Sequence, residues 1–275
     1  MGYIVIDKSW LQSQGQSNEI KKIASKHRII VTDILMYEIS TTSIDSRKYS
    51  CFKKLLAVHN ALDFLPNSGA IIRQEMNPFT LPKSFEERLY PDNLYPTFLV
   101  GLSKLADPTI KSGNIFNDFY HDHFENKDIV FIKKMGAYTS TFFPELRGLK
   151  PGENKELIRR IKNEVGCNEQ VVRSVYERIY NLPDNPIGIE SFPPVRYLSK
   201  HSALFRHIQI YLLAAIIYCG KFGDGFINIQ SKKFAHDCVD FEYIISATLA
   251  NGIATKDNMV KEVFSICCPD GVIYD

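Results

Sequence analysis

The stretch HDCVDFEY-IISATLANG-IATKD, residues 236–257, is the part of the sequence that decides the fold. It predicts an acid-headed helix that Gly252 ends, a very short apolar strand, and a Thr-x-Asp that begins the next helix. Asp237 and Asp240 share one helix face, which continues through Tyr243 towards the core. Two carboxylates at the head of a buried stripe are costly unless a cation pairs with them. The stretch therefore predicts a cationic partner from outside its own sequence.

The amino terminus supplies further acids in an alternating pattern of strands and helices. Two apolar runs, residues 3–6 and 29–31, predict buried strands of a parallel sheet, with a helix over residues 16–26 between them. Asp7 directly follows the first run, and Glu38 lies in the first turns of the helix after the second. This order of elements is typical of an α/β fold.

Parallel topology predicts that these acids meet at one edge of the sheet. In right-handed β-α-β units, the carboxyl ends of strands and the amino ends of helices share an edge. Such an edge would collect five acids, Asp7, Glu38, Asp237, Asp240 and Asp257. Carboxylates that crowd together repel one another, whereas with one or two divalent ions they form the oxygen-ligand site that Mg²⁺ or Mn²⁺ prefers. We therefore expect a Mg²⁺ or Mn²⁺ site.

The ordered set of acids resembles the PIN-domain nucleases. That family has an Asp after the first strand, an acid in the second helix, one or two Asp in a late helix, and a Thr-x-Asp after the next strand. Asp7, Glu38, Asp240 (with Asp237 beside it) and Asp257 match these positions, and the resemblance covers residues 1–45 and 230–275. Asp240 is favoured over Asp237 as the main ligand, because Asp237 is also a natural N-cap.

The resemblance implies both a fold and an activity. The fold would be a three-layer α/β/α core with a central, mainly parallel sheet, carrying a helical insertion over residues 46–229. The activity would be metal-assisted hydrolysis of phosphodiesters, with an endoribonuclease that acts on single-stranded or structured RNA as the favoured form. From the residues themselves, Ser9 and Thr255 have two readings, as helix caps or as side chains that support the ligand carboxylates by hydrogen bonds. A toxin or phage-defence role, an inhibitor or complex partner protein and a homo-oligomer would each suit such a domain.

The middle of the chain offers a candidate nucleic-acid surface. It is carried by two amphipathic helices, about residues 153–165 and 168–180, joined at Gly166. Their candidate phosphate-binding side chains are Arg159, Arg160, Lys162 and Arg173. Acids on the same helices dilute this charge, and a charged helix face is usually only solvated. Two smaller basic groups, Lys21 with its neighbours and Lys53–Lys54, are weaker candidates, and His121-Asp122-His123 lacks the further partners that a metal site needs.

Composition limits the cellular context. The chain has 275 residues, a formal net charge of +2 and six cysteines without a C-x-x-C spacing. No signal peptide is recognisable, so we expect a reducing, cytoplasmic setting. The most apolar run, residues 210–219, is about half a membrane span and predicts a core helix rather than a membrane anchor.

Two alternatives to a nuclease remain open at this level. One is a PIN-like protein that binds nucleic acid or a partner without cutting. The other is a metal-dependent phosphohydrolase that acts on a small molecule, although the sequence has no GxxxxGK[ST] loop and no second Asp after Asp7 of the haloacid-dehalogenase type.

Overall fold

The computed structural model describes residues 1–13, 16–76, 84–109, 136, 139–180, 195–223 and 232–275, and a five-stranded sheet lies at its centre. The strands, in the spatial order β3-β2-β1-β4-β5, are β1 (Gly2–Ile6), β2 (His27–Thr32), β3 (Leu62–Leu65), β4 (Gly252–Ala254) and β5 (Val272–Tyr274). Every neighbouring pair is parallel. The predicted α/β fold with a parallel sheet is confirmed.

Helices connect the strands and surround the sheet. Their bounds are α1 (Lys8–Gln12), α2 (Gln16–Ala24), α3 (Asp33–Ser40), α4 (Asp45–Leu56), α5 (Ser68–Glu75), α6 (Tyr95–Leu105), α7 (Lys155–Cys167), α8 (Glu169–Tyr180), α9 (Ala203–Phe222), α10 (Lys232–Ala250) and α11 (Asn258–Cys267). The chain steps from β1 to β3 in one direction across the sheet and from β4 to β5 in the other. Helix α1 packs against α2, α3 and α4, and α10 packs against α11. This grouping agrees with right-handed crossovers, which put the two sets on opposite faces of the sheet.

Helix α9 is the buried centre of the helical region. Among the described residues it is the one helix long and apolar enough to cross a membrane, and 83% of its apolar window is buried inside the fold. It packs against α5, α7, α8, α10 and α11. This burial matches the core helix expected from residues 210–219.

One predicted helix is wrong at its carboxyl end. Lysines alternate with apolar residues over residues 50–65, which by itself predicts a single amphipathic helix, but α4 ends at Leu56 and Leu62–Leu65 forms β3. Periodicity alone does not separate a short apolar strand from a buried helical turn. Pairing with β2 makes Leu62–Leu65 a strand, because these residues align in parallel with residues 29–32. Arg28 Nε also donates to the Asp63 carboxylate at 2.8 Å across the two strands. Residues 46–229 therefore contribute a strand to the sheet as well as helices.

The helix that carries the late acids also begins earlier than expected. It starts at Lys232, so Asp237 lies inside α10 and is not its N-cap. Its end agrees with the prediction, since Asn251 adopts a left-handed φ of 61° and Gly252 begins β4. Gly166, expected to join two helices, lies within α7. Strand β5 has no counterpart among the predicted elements.

Candidate metal centre

The candidate site lies between β1 and β4, where the order of the strands reverses. In open parallel sheets, ligands bind at the carboxyl ends of the strands at such a switch point. The two strand ends are held together by a hydrogen bond of 3.0 Å from Asp7 N to the carbonyl of Ala254. Asp7 then caps α1, and Asp257 caps α11. The aspartate after each central strand thus stands at the amino end of the following helix.

Asp7 is buried and receives several hydrogen bonds. Its side chain accepts the backbone N–H of Ser9 at 2.9 Å and the Ser9 hydroxyl at 2.6 Å. The hydroxyl of Thr255 also donates to it, and the same hydroxyl accepts the backbone N–H of Asp257 at 3.0 Å. Both residues expected to support ligand carboxylates therefore contact Asp7, and Thr255 links the ends of β1 and β4.

Glu38 faces the same edge from α3. Its carboxylate accepts the Lys8 ammonium at 3.3 Å and the Tyr243 hydroxyl at 2.8 Å. Burial raises the pKa of Glu38, while the charge of Lys8 and the hydrogen bond from Tyr243 act in the opposite direction. The nearby charge of Asp7 raises that pKa further. Glu38 is therefore oriented by two partners and lies within electrostatic range of Asp7.

Asp240 shows how closely the acids gather. The pKa of Asp240 is raised to about 9, first by burial and then by the charges of four other acids, Asp7, Asp257, Glu38 and Asp237. Asp240 forms no hydrogen bond to another described residue that would offset the repulsion. The five acids named from the sequence, here called the acid cluster, are thus within electrostatic reach of one side chain.

The other two members of the acid cluster already have hydrogen-bond partners. Asp237 accepts the hydroxyl of Tyr218 from α9. Asp257 uses Oδ1 to accept the N–H groups of Met259 and Val260 at 2.7 and 3.0 Å. N-capping no longer explains why Asp240 is favoured over Asp237 as a ligand, because Asp237 lies inside α10. Asp240 is favoured instead because the carboxylate of Asp237 already accepts a hydrogen bond from Tyr218.

The donor chemistry fits a divalent ion, but the spacing is not that of a closed ligand set. Carboxylate oxygens are the donors that Mg²⁺ and Mn²⁺ prefer, and Lys8 is the cation that contacts the cluster through Glu38. Across the described parts of the chain, however, no group of three or more His, Cys, Asp or Glu side chains stands close enough to hold a metal ion. Binding an ion would therefore require these side chains to move closer together.

Lys8 and Tyr243 belong to the site but were not predicted as site residues. Lys8 directly follows Asp7, and Tyr243 lies three residues after Asp240 on the same helix face. Sequence spacing could have indicated Tyr243, because it follows Asp240 along the buried face. The side chain of Glu38, which both residues contact, comes from a distant part of the chain.

The basic surface expected on the two middle helices is largely neutralised. Each of its four cations forms an ion pair, namely Arg159–Glu156, Arg160–Glu145, Lys162–Glu262 and Arg173–Glu169. A phosphate would have to displace these acids to bind there. Nucleic-acid binding by these four residues stays a prediction. His121-Asp122-His123 lies outside the described residues.

Comparisons of the chain with protein-family models, with curated proteins and with solved structures gave no significant match.

Proposed function

We propose that this chain is a PIN-like, Mg²⁺- or Mn²⁺-dependent endonuclease that hydrolyses phosphodiester bonds, with RNA as the favoured substrate. The main support is that four acids, Asp7, Glu38, Asp237 and Asp257, lie within electrostatic range of the buried Asp240. Like charges gathered without matching cations are costly in a fold that uses them only for structure. A site that binds a divalent ion offsets this cost.

The roles of the residues follow from their contacts. Asp7, Glu38, Asp240 and Asp257 would hold the ion, with Asp237 beside them. Bound Mg²⁺ or Mn²⁺ supplies a Lewis acid that activates water and stabilises charge on a phosphodiester. Ser9 and Thr255 orient Asp7 through their hydroxyl groups, and Lys8 and Tyr243 orient Glu38. None of these roles requires a covalent intermediate on a side chain.

A cytoplasmic ribonuclease of this kind would suit a toxin or a phage-defence effector. The segment between β3 and α10 would then supply substrate selection, a surface for an inhibitor or complex partner, or a contact between identical subunits. These roles extend the proposal and are tested separately from the cleavage activity.

The decisive experiment compares wild type with Asp240→Asn. We expect Mn²⁺-dependent cleavage of single-stranded RNA by wild type, a loss of at least about 100-fold in the variant, and no loss in Asp270→Asn, an exposed control. Calorimetric titration with Mn²⁺ gives a second readout, in which Asp240→Asn should bind more weakly than the control. Cleavage that survives Asp240→Asn at the wild-type rate would contradict the assignment.

A second candidate is a PIN-like protein that binds nucleic acid or a partner without cutting it. The observation that favours it is the spacing of the acids, since no described trio is close enough to hold an ion as it stands. This candidate predicts RNA binding that does not depend on Mn²⁺, together with no cleavage of RNA, DNA or mononucleotides. Cleavage of mononucleotides alone would instead indicate a small-molecule phosphohydrolase.

A further inference from the structure

A basic depression lies in the groove between α2 and α4. It has a volume of about 530 Å³. Its wall carries three lysines and three serine hydroxyls, Lys21, Lys53, Lys54, Ser17, Ser46 and Ser50. None of the described residues that line it is acidic. Its chemistry therefore suits an anion that accepts several hydrogen bonds.

Two of the three lysines are available to a ligand. Lys21 and Lys53 are exposed and form no ion pair with a described residue. Hydrogen bonds from Thr109 lower the pKa of Asp107, and the charge of Lys53 also lowers it, but by less. The contrast with the helical pair α7–α8 is clear, because every cation expected to bind phosphate there already has a carboxylate partner.

The third lysine connects the basic depression to the acid cluster. The Lys54 ammonium donates to the carbonyl of Leu11 and, at 3.3 Å, to that of Ser13. These carbonyls end α1, the short helix that Asp7 begins. A helix of five residues is about 7.5 Å long. A short stretch of a nucleic-acid strand bound at Asp7 would therefore reach the depression.

A buried thiol on α4 supports the same proximity. Burial raises the pKa of Cys51, and the charges of Lys54 and Lys8 both lower it. Cys51 is thus within electrostatic range of a lysine of the basic depression and of the lysine that contacts Glu38. Lys8, which contacts Glu38, and Lys54, which lines the depression, therefore lie near the same side chain.

We propose that the basic depression binds a backbone phosphate of the same nucleic-acid strand whose phosphodiester lies at the acid cluster. This inference rests on the proposed nuclease function and names part of its substrate-binding surface. Lysines and hydroxyls contact phosphate oxygens without reading bases, so the contribution to affinity is independent of sequence and weakens with salt. Such a contact sets the position of the strand relative to the acid cluster.

The test measures binding of a labelled single-stranded RNA in EDTA, where cleavage does not occur. The variant is Lys21→Glu/Lys53→Glu, and the control is Lys150→Glu/Lys155→Glu, which changes the net charge equally at exposed positions away from the depression. We expect the variant to weaken binding by about tenfold or more and to reduce the slope of log affinity against log salt by about one. The control should keep the wild-type slope.

The outcomes separate this inference from the proposed function. Equal losses in the two double variants, or no loss in either, overturn the phosphate site even if the protein cleaves RNA. A selective loss in Lys21→Glu/Lys53→Glu supports the site even if Mn²⁺-dependent cleavage is absent. If the protein binds inorganic phosphate but no RNA, the depression is not part of an RNA-binding surface and the proposal is overturned.

Discussion

Thr255 shows how a neutral side chain can hold two acids in place. It is fully buried, donates to the Asp7 carboxylate and accepts the N–H of Asp257. A buried hydrogen-bonding group that loses its partner costs about 1–3 kcal/mol. We therefore expect loss of the Thr255 hydroxyl to lower the free energy of unfolding, which is measured without an activity assay.

Replacing Thr255 with Val keeps the shape of the side chain and removes the hydroxyl. We expect the free energy of unfolding to fall by about 1–3 kcal/mol, because both the Asp7 carboxylate and the Asp257 N–H lose a partner. Urea unfolding measures this change. Thr255→Ser, which keeps the hydroxyl, should lose less. Thr248→Val is a second control, since its hydroxyl only bonds back to the Ile245 carbonyl of its own helix. Similar losses for Thr255→Val and Thr248→Val would argue against the bridging role.

Asp240 makes stability depend on pH in a known direction. Its pKa is about 9 in the fold and about 3.9 in an unfolded chain. The folded state therefore holds its proton more tightly, so the stability present below about pH 4 is lost progressively as the pH rises towards about 9. The cause is burial together with the repulsion of the other acids.

Asp240→Asn removes that titration. In buffer containing EDTA, we expect the variant to be more stable than wild type by at least about 1 kcal/mol near pH 8, and the difference to vanish towards pH 4. Thermal unfolding across this pH range measures it. The exposed Asp270→Asn control should show no such trend, and a constant difference for Asp240→Asn across the range would contradict the electrostatic origin.

At the scale of elements, the site depends on how closely β1 and β4 approach each other. A Cβ added to Gly252 would lie 2.6 Å from the carbonyl oxygen of Tyr3 and 2.5 Å from Cδ1 of Ile4. Backbone atoms do not yield to such a contact, so the strands would have to separate. The two strand ends that carry Asp7 and Thr255 would separate with them.

Gly252→Ala is therefore expected to destabilise the fold by about 2 kcal/mol or more, in the range of overpacked cores. Gly101→Ala in α6 is the matched control, because outside the adjoining helix backbone no atom of the described residues lies within 4 Å of the added Cβ. Alanine favours helix over glycine by about 1 kcal/mol, so the control should be as stable as wild type or more stable. Chemical unfolding of both variants gives the comparison. If Gly252→Ala is as stable as wild type, strands β1 and β4 can move apart without a cost in free energy.

At the scale of the whole molecule, a buried ion pair connects the sheet region to the central helix. Arg88 Nε donates to Glu75 Oε1 at 3.0 Å, and both side chains are buried. Glu75 also accepts the N–H of Ala203, at the amino end of α9, at 2.6 Å. Arg88 in turn donates to the carbonyl of His201 at 2.6 Å. These contacts tie α5 to α9 across more than one hundred residues of sequence.

Glu75→Ala leaves a buried guanidinium without its anion and an N–H without its acceptor. We expect a loss of about 3–5 kcal/mol in the free energy of unfolding. Glu156→Ala is the matched control, because the Glu156–Arg159 pair is exposed, and exposed pairs contribute at most about 1 kcal/mol. Equal effects of the two variants in urea unfolding would show that burial of the Glu75 pair contributes nothing.

The sequence by itself determined the α/β class, the first two strands and the acids after β1 and β4. Local patterns carry this information, because an apolar run, a capping residue and a terminal acid lie within a few residues of one another. Tertiary structure alone decided that Leu62–Leu65 is a strand, that Tyr243 and Lys8 meet Glu38, and that Arg160 and Lys162 of α7 pair with Glu145 and Glu262. Each of these outcomes depends on a partner from a distant part of the chain. Short apolar runs and charged faces have several stable local states, and long-range contacts select one of them.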